Sequence, residues 1–333
     1  MSHGGDIYKY AKILKCEPNE IIDFSSNINF YAPNEPLTFD NDVIQKYAQS
    51  SYDELKKVIA KNYAIEPKEI ALFNGATAAI YALMTQLKKK RVYLYAPLYG
   101  EYEKAATFAK KDIYKLSRVA DIDEDEVEEK SIVVFVNPAT PEGSFYELEE
   151  ELELWKSKNC TIIIDESFLE FEAHPSLREQ IKEYKKLYII QSFSKFYSCA
   201  GVRIGAVFAN KKSIKKLHTP LWNISSLDAT FLMQRMQDEA FKTTSRELHA
   251  VQKAELKQIL SDSGHFEQII TSDANFFLVK SQKAEAIFSH LLEHKILTRR
   301  CFNFDYLDNT YLRFAVKDKA SHKMLKEALD ALS

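Results

Sequence analysis

The chain has 333 residues, with 45 Lys and Arg against 48 Asp and Glu, for a formal net charge of −3. That near balance leaves no field for nucleic acid or an anionic membrane surface; no apolar run approaches spanning length, and the polar start MSHGGDIYKY is not expected to act as a signal peptide. Cys16, Cys160, Cys199 and Cys301 are scattered, with no CxxC and no paired histidine spacing, so they read as free thiols of a cytoplasmic, enzyme-sized protein with neither a disulfide frame nor a metal site.

In chain order, Ser51–Ala64 carries Leu55, Val58, Ile59 and Tyr63 on one helical face, behind a serine that could cap it. Ile70–Phe73 is a short strand broken at Asn74-Gly75. Ala76–Leu87 follows as a helix with the stripe Ile80, Leu83, Met84 and Leu87. Val92–Ala96, Ile132–Val136, Thr161–Ile164, Leu187–Gln191 and Gly205–Ala209 are further apolar strands, bridged by helical spacing at Glu101–Ala109 and Tyr146–Lys158. The acidic run Asp121–Glu129 reads as a solvated loop or helix start. Continuous apolar strands between helices predict an α/β protein whose mainly parallel sheet is covered on both faces.

After Pro220 the pattern changes. Ser226–Leu260 has no Pro or Gly and predicts one long helix leading into a second unit. There Phe276–Val279 and Tyr311–Val316 read as strands, and Lys283–Glu293 and Asp318–Leu332 as helices. The expected division is a large domain over 41–230 and a small α+β domain over 231–333, with the N-terminal segment 1–40 packed against the small one.

Lys195 and Arg203 carry the only formal charges in Ile189–Gly205, IIQSFSKFYSCAGVRIG, in a chain with 28% charged residues. A lysine in such surroundings is partly desolvated, which lowers its pKa and frees its amine as a nucleophile. Ser192, Ser194 and Arg203 offer hydroxyls and a guanidinium suited to a phosphate dianion. Together these are the needs of a pyridoxal phosphate site. A core-edge lysine paired with a carboxylate is the plainer reading of the same segment.

Ligands of parallel sheets bind at the carboxyl ends of the strands. Asn74-Gly75-Ala76-Thr77 follows a strand and opens a helix, so free N–H groups and the Thr77 hydroxyl can hold a phosphate there. Asp165 ends the run TIIID, where its carboxylate could either bond a protonated ring nitrogen or cap the next segment. Tyr99 follows Ala96-Pro97-Leu98 and could lie over an aromatic ring. Each feature alone is common. Their agreement points to one pyridoxal phosphate site.

The chain resembles fold-type-I pyridoxal phosphate enzymes of the aspartate aminotransferase superfamily over nearly its whole length. Within them it is similar to histidinol-phosphate aminotransferases and, more closely, to L-threonine-O-3-phosphate decarboxylases. The resemblance lies in His3-Gly4-Gly5, Asp23-Phe24-Ser25-Ser26-Asn27-Ile28-Asn29, Asp165-Glu166-Ser167-Phe168, Ser194-Lys195-Phe196-Tyr197 with Ala200-Gly201-Val202-Arg203, and Tyr311-Leu312-Arg313-Phe314-Ala315-Val316. It implies that Lys195 carries the cofactor and moves protons, that Asp165 pairs with the pyridine nitrogen, and that Tyr99 stacks on the ring. It further implies that Ala76, Thr77, Ser192, Ser194 and Arg203 hold the cofactor phosphate. Tyr47, in the pattern Tyr47, Tyr52, Leu55, would reach that phosphate across a homodimer interface. Arg313 would bind a substrate carboxylate, and Arg299 with His3 and Asn29 the substrate's own phosphate.

Several positions depart from the family pattern, among them Ala79, where an acidic residue is common. Asn137–Gly143, NPATPEG, stands where NPNNPTG is usual, so Thr140 replaces the asparagine that bonds the cofactor's phenolic oxygen. Phe168 stands where aminotransferases often place a tyrosine on the same oxygen. The expected activity is decarboxylation of L-threonine phosphate or L-serine phosphate. The alternatives are aminotransfer between histidinol phosphate or a similar amino-phosphate and 2-oxoglutarate, and a cofactor-binding protein without catalysis.

Overall fold

Residues 4–33, 38–118 and 127–332 are described in the computed structural model. Asp6 caps α1 (Ile7–Leu14) by accepting from Lys9 N, and a short strand, β1 (Ile22–Asp23), follows. After α2 (Asp42–Gln45) comes α3 (Asp53–Tyr63), which buries Leu55, Ile59 and Tyr63. The expected serine cap is not used. Tyr52 precedes α3 with φ 52° and its side chain does not cap the helix, while Gln49 Oε1 accepts from Asp53 N at 3.2 Å. The Tyr52 hydroxyl instead donates to Ile224 O and accepts from Ile224 N, at 3.0 and 3.1 Å, fastening α3 to a distant loop.

The alternation then runs β2 (Ile70–Phe73), α4 (Gly75–Gln86), β3 (Arg91–Ala96), α5 (Glu101–Phe108), β4 (Asp112–Ser117), β5 (Ile132–Val136), α6 (Glu149–Ser157), β6 (Thr161–Asp165), β7 (Leu187–Ser192) and β8 (Gly205–Ala209). These strands form one seven-stranded sheet in the order β2-β8-β7-β6-β5-β3-β4. Only β8 runs antiparallel to its neighbours. Along β3, Tyr93 and Tyr95 enter one core while Val92, Leu94 and Ala96 enter another, so the sheet is covered on both faces. That double burial is why its central strands read as unbroken apolar runs. The edge strand β4 was not expected: DIYKLS is mostly polar and only Leu116 is fully buried. Of the acidic run, only Val127–Glu129 lies within the described residues.

Past α7 (Lys211–Ile214), the single long helix expected over Ser226–Leu260 is two, α8 (Ser226–Gln237) and α9 (Glu239–Asp262). Asp238 leaves helical geometry at φ −80°, ψ 90°, and its carboxylate accepts from Phe241 N. An aspartate can begin a helix as well as sit within one, and here capping wins. The remainder is β9 (Gln268–Ile269), β10 (Phe276–Lys280), α10 (Ala284–Glu293), β11 (Ile296–Leu297), β12 (Arg299–Arg300), β13 (Tyr311–Ala315) and α11 (Lys319–Asp330).

β12-β13-β10-β9 form an antiparallel sheet, and β1 pairs in parallel with β11. Tyr10, Ala11 and Phe24 of the N-terminal segment share a core with Leu256, Phe277, Leu291, Phe314 and Leu325. Among the described residues no helix is long and apolar enough to cross a membrane.

Candidate active site

The connections leaving β2, β3, β5, β6 and β7 converge on a cavity of about 340 Å³, closed from the far side by β12, β13 and the segment Ser25–Ile28. Lys195, three residues past β7, lines it. Burial lowers the Lys195 pKa; Arg203 and Arg313 push the same way, while Asp165 opposes them. Among the described residues no carboxylate pairs with its ammonium, so the core-edge ion pair is not what the structure contains. Nζ lies 4.9 Å from the centre of the Phe168 ring, an aromatic face that tolerates the cation without neutralising it.

Asp165 occupies the last position of β6 and also lines the cavity. Its Oδ1 accepts from Ser167 N at 3.0 Å, and its Oδ2 from the Tyr102 hydroxyl at 2.7 Å. Burial raises the Tyr102 pKa well above the usual phenol value, with the Asp165 charge acting in the same direction, so this hydroxyl remains a donor. The carboxylate is thus oriented by two neutral donors and is placed to meet a cation in the cavity.

The anion corner is built by close approach. Gly75 opens α4 at φ +80°, and a Cβ there would lie 2.7 Å from Arg203 Nη2. Gly205, at the start of β8, stands where a Cβ would come within 2.4 Å of Ala76 N. Arg203 therefore lies across the first turn of α4, whose leading N–H groups have no intrahelical acceptors. Its Nη1 donates to Ala200 O at 3.2 Å, and it pairs with no carboxylate among the described residues. Ser192 Oγ and Ser194 Oγ lie 2.9 Å apart at the end of β7, and Ala76 and Thr77 complete the corner. Tyr99 lines the cavity with its hydroxyl 3.5 Å from Thr77 Oγ1.

Arg299 and Arg313 are directly opposite each other on β12 and β13, so both side chains enter from one face of the small sheet. They are 7% and 6% exposed. Burial brings Arg313 down to about 10, with Cys301 acting against the shift and Arg299 reinforcing it. Arg313 Nη1 donates to Thr140 Oγ1 at 3.1 Å and Nη2 to Ser25 O at 3.2 Å, while Nε has no partner. Arg299 donates to Arg300 O at 2.7 Å and to Asn303 Oδ1 at 2.8 Å, its guanidinium 5.4 Å from the Phe304 ring.

Two expected site residues, Asn29 and Tyr47, do not line the cavity. Asn29, expected at the substrate phosphate, is instead 4% exposed behind the lysine loop. Its amide donates to Phe196 O and Ser245 Oγ, its Oδ1 accepts from Tyr31 N, and its backbone N–H donates to Lys195 O. With its side chain saturated, Asn29 braces the loop that carries Lys195. Tyr47 is 81% exposed and stacks on Trp222 with ring centres 4.6 Å apart. His3 lies outside the described residues.

Tyr102, Arg118 and Phe304 join the site without having been expected there. Tyr102 was within reach, since it sits three residues after Tyr99 on the first turn of α5 and so can share its face. The bond between Arg118 and Glu142 joins two loops, and Phe304 lies on a loop with no periodicity; nothing local marks either.

A buried carboxylate facing the cavity, a lysine of depressed pKa and a cationic corner fit the ring nitrogen, aldehyde and phosphate of pyridoxal phosphate. Comparison with known proteins agrees. The chain is 28% identical, over 98% of its length, to an adenosylcobalamin biosynthesis bifunctional protein of Leptospira interrogans, of which it spans 40%. It is 26% identical to a threonine-phosphate decarboxylase of Salmonella typhimurium, covering 98% of this chain and 95% of that one. The crystal structure of a histidinol-phosphate aminotransferase from Clostridium acetobutylicum superimposes with a TM-score of 0.82 at 27% identity, covering 94% of this chain and 99% of that one. The family model "Aminotransferase class I and II" matches residues 19–332, and the chain belongs to that family of pyridoxal phosphate enzymes.

Proposed function

We propose that the protein decarboxylates an O-phosphorylated L-amino acid, L-threonine phosphate or L-serine phosphate. The observation that carries this reading is the pair Arg299 and Arg313, adjacent, buried, and without a carboxylate partner among the described residues. Two like charges held so close out of water are unfavourable until anions reach them. A substrate bearing both an α-carboxylate and a phosphate supplies one anion to each.

When bound, the cofactor draws electrons out of whichever Cα bond stands perpendicular to its ring. The chain's own groups then select that bond. Arg313 takes the carboxylate, and Arg299 with His3 takes the distal phosphate, which fixes the rotation about the amine. Lys195 holds the cofactor and afterwards delivers or removes a proton with Nζ. Asp165, oriented by Tyr102 and Ser167, keeps a proton on the ring nitrogen. Tyr99 covers the ring, and Ala76, Thr77, Ser192, Ser194 and Arg203 hold its phosphate.

Tyr47 belongs to this reading only if a second copy completes the site, so the active form is a homodimer. We place this activity in the cytoplasm, in making the cobalamin side chain, a reading supported by the likeness to the adenosylcobalamin biosynthesis protein of Leptospira.

Aminotransfer involving histidinol phosphate is the second reading, supported by the likeness to the Clostridium aminotransferase. Incubating cofactor-loaded protein with L-threonine phosphate separates the two. Release of CO₂ with aminopropanol phosphate is expected. Conversion of the cofactor to its amine form without CO₂ would move the assignment to aminotransfer.

A further inference from the structure

We propose that Thr140 is a positioning residue for Arg313, and that its hydroxyl serves the substrate carboxylate site rather than the cofactor's phenolic oxygen. The proposal rests on Arg313 as the carboxylate-binding group.

Thr140 lies on the turn Asn137–Gly143 after β5, and this turn is fixed from inside. Arg118 Nε and Nη2 grip Glu142 Oε1 and Oε2 at 2.6 and 3.1 Å. The same Nη2 donates to Thr140 O at 2.9 Å, and Nη1 donates to Tyr95 O at 2.5 Å. Arg118 and Glu142 are 3% and 7% exposed, so this bidentate pair is shielded from water and geometrically restrictive. Asn137 closes the base of the turn by exchanging two 2.9 Å bonds with the Tyr146 backbone. With the carbonyl of Thr140 tied to Arg118, its side chain is left facing Arg313, and Oγ1 accepts from Nη1 at 3.1 Å.

The chemistry of that contact suits a positioning role. The two acceptors on the Arg313 head are the Thr140 hydroxyl and the Ser25 carbonyl, both neutral. They orient the guanidinium without cancelling its charge, whereas a carboxylate there would compete with the ligand. Once Oγ1 has accepted from Arg313, the hydroxyl has one proton to give. The acceptor drawn next to Arg313 is the incoming carboxylate. Glu142, in the position of the family's threonine, accounts for the arrangement, because it recruits Arg118 to hold the turn.

The test uses cofactor-loaded protein and two ligand pairs that differ by the carboxylate alone: O-phospho-L-threonine against 1-amino-2-propanol phosphate, and L-alanine against ethylamine. Binding is followed by the visible absorbance of the cofactor, read for O-phospho-L-threonine on rapid mixing before it is turned over, and the ligand-free absorbance is titrated with pH. Thr140→Val is expected to weaken each carboxylate-bearing ligand about tenfold, ~1.4 kcal/mol, while changing its carboxylate-free partner less than twofold. The absorbance midpoint should stay in place, and Thr140→Ser should restore carboxylate binding. A displaced midpoint with equal weakening of both members of a pair would return Thr140 to the phenolic oxygen and overturn the proposal, as would unchanged binding throughout. If wild-type protein binds neither phosphorylated ligand, the substrate class proposed above fails by itself, and the alanine pair still decides the role of Thr140.

Discussion

Lys195 and Glu170 feel the same physical pressure with opposite consequences. Burial lowers the lysine's pKa and so makes its amine available to an aldehyde. Reducing the cofactor-loaded protein with borohydride should leave the label on Lys195. Lys195→Ala should carry no label and lose at least about 10³-fold in turnover, the scale of a positioned proton carrier. Label on another residue would refute the assignment.

Burial raises the Glu170 carboxyl to about 7, against the Tyr197 hydrogen bond and the charges of Arg178, Arg246 and Lys242. Tyr63 and Gln191 also donate to it. The folded chain holds this proton more tightly than the unfolded chain. Its stabilising contribution is therefore complete below the ordinary carboxyl value of 4.5 and is lost as pH rises through 7. The change amounts to about 3 kcal/mol. Glu170→Gln should remove it, so that urea unfolding at pH 5 and pH 8 differs less in the variant than in the wild type. Equal pH dependence in the two would mean that the carboxyl is not held neutral by burial.

At the scale of elements, the junction of β8 with α4 decides whether the anion corner exists. A Cβ at Gly205 would collide with Ala76 N, Gly75 C and Ala76 Cα at 2.4, 2.7 and 2.8 Å, all of them backbone atoms. Gly205→Ala should therefore push the strand from the helix start, costing about 1–3 kcal/mol of stability and at least tenfold in cofactor affinity by fluorescence titration. Gly201→Ala, with nothing within 4 Å of the added carbon, should do neither. Equal behaviour of the two variants would show that close approach is not what builds the corner. The pairing of β12 with β13 acts in the same way on the substrate side, setting Arg299 opposite Arg313 although 14 positions separate them in sequence. The family resemblance implied both arginines; only the strand register makes them neighbours.

For the whole molecule, four of the exposed apolar residues, Tyr47 among them, lie close together on the face where the proposed second copy would dock. Ile44, Tyr47, Leu221 and Trp222 are 75%, 81%, 69% and 48% exposed, on or beside α2 and on the segment preceding α8. Tyr47 and Trp222 already stack on each other. Large exposed aromatics of this kind are characteristic of interfaces. Sedimentation velocity should find a dimer, and Trp222→Glu should shift it to monomer with weaker cofactor retention. A wild-type monomer with full cofactor affinity would remove the reason for placing Tyr47 in the site.

The strands β2, β3, β5, β6, β7 and β8 and the helix after Asn74-Gly75 were legible in the sequence, because burial on both faces of a sheet demands unbroken apolar runs and a strand-to-helix turn demands glycine. Lys195 and Asp165 were legible for a related local reason, as charged residues at or just past the ends of such runs. Other features were settled only in three dimensions. Asp238 could have continued a helix and caps one instead. Asn29 faces the lysine loop rather than the ligand, Arg118 finds Glu142 across two loops, and Thr140 turns its hydroxyl to Arg313. Each of these depends on a partner distant in sequence, or on one of two local conformations of similar free energy, and only packing chooses between them.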